Sequence, residues 1–137
     1  MDKNELFKIY SSYLPHNVKI EFETTMSWST NLVGLSYNEG EEDFKIQSDR
    51  FNKNDKLSWG LSCYAKLILT PMSILQTMFL VDIENYLDCS HEQVQELMNF
   101  KSKDIKLNDI SYGLYEAMCK KHIDFNDLIG KGLAIQN

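Results

Sequence analysis

Apolar and polar positions alternate or recur along this chain in a way that predicts strands first and helices afterwards. Asp2 or Asn4 can cap an opening helix whose Leu6, Ile9, Tyr10 and Tyr13 fall on one side, with Pro15 ending it. From Asn17 to Thr24 the pattern has period two. Val18, Ile20 and Phe22 point one way and Lys19, Glu21 and Glu23 the other, the mark of a half-buried strand. A second strand is predicted over 31–38, with Gly34 where a bulge would tolerate it. Glu39-Gly40-Glu41-Glu42-Asp43 then reads as a charged hairpin turn, and Phe44–Ser48 as a third strand. Asp49–Lys56 is a polar loop, after which apolar character resumes around Trp59 and Gly60.

The most apolar stretch is Tyr64–Val81. Its first six residues predict a strand buried on both faces, inside a sheet. Thr70 and Pro71 then predict an N-cap and a first helical position, because proline lacks only an N–H that has no intrahelical partner there. Ile74, Leu75, Met78, Phe79 and Val81 should lie on the inner face of that helix. A capping box at Ser90–Gln93 predicts a further helix from His91, with Val94, Leu97 and Met98 inward. Asn108 can cap another, carrying Ile110, Leu114, Tyr115, Met118 and Cys119; Gly113 weakens it unless a close approach requires it. Asp124–Asn137 predicts a short helical turn closed by Gly130 and Gly132. The expected fold class is α+β, an antiparallel sheet from the N-terminal half packed by helices from the C-terminal half, in one domain over 1–137.

Composition changes this picture little. With 137 residues, 43% of them hydrophobic, the chain can bury a core without metal or disulfides. No apolar run is long enough to span a membrane, and residues 1–20 lack an apolar signal core, so a cytoplasmic protein with no membrane partner is expected. Three cysteines at unpatterned spacing argue for reduced thiols. Net charge is −6, which opposes nucleic-acid binding by the protein alone. Charge is also uneven. Residues 61–100 hold Lys66 alone against Asp82, Glu84, Asp88, Glu92 and Glu96.

Candidate chemistry is sparse. Cys89, His91, Cys119 and His122 have the residue types of a zinc site, but not the spacing of a known module, and no metal or other cofactor is expected. Cys119, His122 and Asp124 are near enough in sequence for nucleophilic catalysis, without an elbow or oxyanion signature around them. Glu21 and Glu23 share a strand face, as outer-face charges usually do. Gly130-Lys131-Gly132 is a cap signal and not a phosphate loop. Trp28, Tyr37, Trp59 and Tyr64 could stack bases, but core packing explains them without the basic residues such a platform needs. Glu39, Glu41, Glu42 and Asp43 could imitate phosphates in a partner's basic groove; otherwise they form a solvated hairpin tip.

Three stretches carry a resemblance: Tyr13-Leu14-Pro15-His16-Asn17-Val18-Lys19, Leu67-Ile68-Leu69-Thr70-Pro71-Met72-Ser73-Ile74-Leu75, and His122-Ile123-Asp124-Phe125 with Leu128-Ile129-Gly130-Lys131-Gly132-Leu133-Ala134-Ile135. In order and rough spacing they resemble small proteins of phages and prophages of Bacteroidetes. The chain departs from that group at Met72 and Ile74, where Leu and Asp are expected, and in the segment after that helix. The resemblance implies a mobile-element protein that binds and disables a host defence, an anti-CRISPR inhibitor of a type VI-B RNA-guided ribonuclease being its sharpest form. The expected partner is thus a host protein, the expected contact Glu39, Glu41, Glu42 and Asp43, and the expected mechanism non-catalytic. A small Cys/His-dependent enzyme or a phage accessory protein is the alternative.

Overall fold

A computed structural model describes residues 1–22, 28–49, 59–99, 105 and 109–137. The architecture is α+β, and the chain divides into two compact units, Met1–Ile68 and Leu69–Asn137.

The first unit opens with α1 (Lys3–Tyr13), capped by the Asp2 carboxylate, which accepts the Asn4 N–H at 2.9 Å. Its inner face is Leu6, Ile9, Tyr10 and Tyr13, as the spacing predicts. A 3₁₀ turn over Leu14–His16 holds Pro15 and reverses the chain at Asn17. Strands β1 (Lys19–Phe22), β2 (Trp28–Ser36), β3 (Lys45–Ser48) and β4 (Trp59–Leu61) follow. β5 (Ala65–Pro71) returns beside β1, giving the antiparallel order β4-β3-β2-β1-β5. Val18, Ile20 and Phe22 are buried together, so the period-two reading of this segment holds; Glu23 lies outside the described residues. The β2–β3 register slips between Leu32 and Gly34, the bulge that the glycine signals.

α1 covers this sheet through rings. Phe44 meets Phe7 and Tyr10 edge-on, with centroids 5.4 and 5.1 Å apart. The buried Tyr10 hydroxyl donates to the Ala65 carbonyl at 3.4 Å. Each such ring pair adds about 0.5–1.5 kcal/mol beyond area burial.

In the second unit the central stretch departs from expectation. Pro71 stays in β5, where residues 70–71 run parallel to β6 (Ile123–Asp124). Ala65, Leu67 and Leu69 are buried while Lys66, Ile68 and Thr70 are half-buried, so one face of β5, not two, is sealed. The predicted helix is split in two. α2 (Ser73–Gln76) closes after one turn, because the Thr77 hydroxyl and N–H both bind the Ile74 carbonyl, at 2.7 and 3.3 Å. A threonine side chain that competes for a backbone carbonyl in this way favours ending a helix. Phe79 is extended and caps α3 (Leu80–Leu87). The split rotates the stripe: Leu75 is buried, but Ile74, Phe79 and Val81, expected inside, are exposed.

α4 (His91–Met98) begins at the predicted capping box, where Ser90 Oγ accepts the Gln93 N–H and Gln93 Oε1 accepts the Ser90 N–H. Val94 and Leu97 face inward; Met98, at the last turn, is exposed instead of buried. α5 (Tyr112–Lys120) starts later than Asn108, which lies outside the described residues; Ser111 is its cap residue, and the Ser111 N–H donates to Glu96 Oε1 at 2.6 Å. Gly113 has a reason to be glycine. A Cβ there would stand 2.7 Å from Nε2 of Gln93, whose side chain the capping box already holds. The C-terminal segment is not helical. Both Asp124 oxygens accept N–H groups, from Leu128 at 2.8 Å and Ile129 at 2.9 Å, which coils the chain into turns before β7 (Ala134–Gln136) joins β5. Buried Ile83, Leu87, Leu114, Met118, Phe125 and Leu128 make up much of this unit's core. No helix among the described residues is long and apolar enough to cross a membrane.

Candidate functional site

The acidic tract is built on a β-turn. Gly40 takes φ +86°, a region that side chains with a Cβ rarely enter, and the Glu41 N–H closes the turn on the Asn38 carbonyl at 3.1 Å. From there the four acids separate into two kinds. Glu41 folds back: its carboxylate accepts the Asn38 N–H at 3.3 Å and the Asn38 amide at 3.2 Å, and stands 3.6 Å from Lys45 Nζ. The Asn38 backbone and side-chain donors, then Lys45, hold it below the usual glutamate range.

Asp43 is committed still further. Its carboxylate accepts the Ser62 hydroxyl, the Cys63 N–H at 2.9 Å and the Phe44 N–H at 2.9 Å, and pairs with Lys3 at 3.2 Å. Burial pushes this carboxyl up, but the Ser62, Cys63 and Lys3 contacts outweigh it and the group sits below its ordinary value. One side chain thus ties the start of α1, the start of β3 and the 3₁₀ turn over Ser62–Tyr64. Glu39 and Glu42 are the exposed pair, aimed outward from a braced turn.

All three candidate thiols sit above their ordinary value. Cys119 is buried in α5 and its thiol is pushed up to about 12, by burial first and by Glu116 second. Cys89 is raised by partial burial, then by Glu84 and Asp88; exposed Cys63 is raised by desolvation and by Asp43. A nucleophilic cysteine needs the opposite shift. Asp124, the acid of the sequence triad, spends both oxygens on its turn. His91 Nδ1 lies 2.7 Å from Glu84 Oε1. Among the described residues no group of three or more His, Cys, Asp or Glu side chains could hold a metal ion. Of the stacking candidates, Tyr37 is half-buried with ring centroids 5.5 and 6.0 Å from Phe7 and Phe44, Tyr64 is exposed, and the Trp28 and Trp59 side chains lie outside the described residues.

The sequence reading missed the brace at Asp43 and the exposed edge at Phe79. The first has no local signal, since Lys3 and Ser62 lie far from Asp43 along the chain. The second had one, the Thr77 side chain next to a helix that the apolar spacing alone would extend. No family model, curated protein or solved structure matches the chain.

Proposed function

We propose that this is a non-catalytic protein of a phage or mobile element that binds and inhibits a host defence nuclease, with a type VI-B RNA-guided ribonuclease as the target. The observation that supports a binding role is the braced turn: Asp43 and Glu41 are consumed in holding it, and Glu39 and Glu42 are left exposed. Two solvated carboxylates on a fixed turn, in a chain of net charge −6, attract a basic groove over the range of a Debye length and speed encounter with it. The three raised thiols favour binding over Cys/His catalysis.

The test is a titration of the protein into a guide-loaded type VI-B ribonuclease cleaving a reporter RNA. Activity should fall linearly and vanish near one protein per nuclease complex. Full inhibition at far lower ratios would mean turnover, and no inhibition would remove the nuclease as the target.

A further inference from the structure

The break at Thr77 leaves an apolar edge uncovered in the second unit. Phe79 is 80% exposed, Leu80 40% and Val81 58%, and Ile74, on the turn before, 38%. Scattered apolar residues on a surface need no explanation, but three in succession including a phenylalanine make a contiguous patch.

Along the chain around the edge acids outnumber cations, although Lys121 Nζ reaches α3, 5.2 Å from the Tyr86 ring centroid. Between Lys66 and Lys101 the chain has no Lys or Arg, and it carries Asp82, Glu84, Asp88, Glu92 and Glu96. Glu84 is paired with His91 and Glu96 with the Ser111 N–H, whereas Asp82, Asp88 and Glu92 are exposed. Helical spacing puts Val81 and Asn85 on one exposed line of α3 with Asp82 beside it, and exposed Asp88, in the left-handed conformation that ends the helix, follows beyond. An apolar end therefore runs into an acidic stripe.

A second copy of this chain would set acid against acid here, and a nucleic acid would be repelled. We propose that Ile74, Phe79, Leu80 and Val81 are the docking edge for a basic amphipathic helix of a partner protein, whose apolar side chains cover them while its Lys or Arg side chains lie along Asp82 and Asp88. This is helix-on-face recognition, with the apolar contacts supplying affinity and the charges supplying direction and register. The proposal deepens the binding reading above. Its probe is a peptide, so peptide capture without nuclease inhibition refutes only that target, and inhibition without peptide capture refutes only this edge.

The experiment titrates isotope-labelled full-length protein with a Leu/Lys peptide carrying leucines at i, i+3, i+4 and i+7, and with its Leu/Glu counterpart, by NMR. Saturable shifts confined to residues 74–88 with the Leu/Lys peptide alone are expected. The Phe79→Ser/Val81→Ser variant should bind at least about tenfold more weakly, the loss of about 1.4 kcal/mol. Asp82→Lys/Asp88→Lys keeps the apolar edge and should also weaken the Leu/Lys peptide, which guards against a folding defect in the first variant. No binding, equal binding of both peptides, unchanged binding by either variant, or a dimer by sedimentation that the Ser variant dissociates would each overturn the assignment.

Discussion

Asp43 accepts the Cys63 N–H at 2.9 Å across 20 positions of sequence, and the same carboxylate takes the hydroxyl of Ser62. That pairing fixes where the chain leaves β4 relative to where it enters β3. Ser62 is buried, so its hydroxyl would lose the acceptor it donates to without the carboxylate. Asp43→Ala should cost about 1–3 kcal/mol in urea unfolding, the penalty for leaving such donors unmade. A loss within about 0.5 kcal/mol, the range of ordinary surface changes, would show that Asp43 braces nothing.

The same contacts set a dependence on acid. Asp43, Glu41 and Asp49 all sit below their ordinary values in the folded protein, Asp49 through Thr30 and Asn31. A carboxyl with a depressed folded value stabilises fully above its unfolded value of roughly 4, and that stability is lost as pH falls through the folded value. Unfolding free energy should therefore be flat near neutrality and fall below about pH 4. Asp43→Ala should make that fall shallower. An identical acid limb in the variant would assign the effect to other groups.

Thiol labelling separates the binding and enzyme readings. At pH 8 in native buffer a thiol reagent should modify exposed Cys63 first, more slowly than a free thiol because its value is raised, and half-buried Cys89 after it. Cys119, buried and pushed up to about 12, should react only after unfolding. Rapid modification of Cys119 in the folded protein at neutral pH would restore a Cys/His enzyme as the better account.

Much of the fold was legible because it is local. The α1 stripe, the alternation around Ile20, the bulge at Gly34 and the capping box at Ser90 each depend on residues a few positions apart, and each stands where the pattern puts it. The failures came where one side chain overrode a pattern. Apolar spacing carries a helix through Met78, but the Thr77 hydroxyl closes it early and turns Phe79 outward. Likewise Gly130 and Gly132 suggest a helix cap, whereas Asp124 binds the Leu128 and Ile129 N–H groups and coils the segment as turns. The acidic tract was visible as charge, but the commitment of Asp43 was not, because its partners lie on α1 and the turn after β4, whereas Glu41 is held by nearby Asn38 and Lys45.

That division determines how the acidic turn should be tested. Replacing all four acids would remove the Asp43 brace and the Glu41 fold-back along with the exposed charge, and loss of binding would then report damage to the first unit. Glu39→Ser/Glu42→Ser removes only the exposed pair, so stability should change by about 0.5 kcal/mol or less. Steering by surface charge acts on association, is screened by salt and leaves dissociation nearly unchanged. Against the guide-loaded ribonuclease, the double variant should associate more slowly at low salt, converge with the unmodified protein as salt rises, and dissociate at a similar rate. Equal association rates at low salt would take Glu39 and Glu42 out of partner capture and leave the turn a structural element alone.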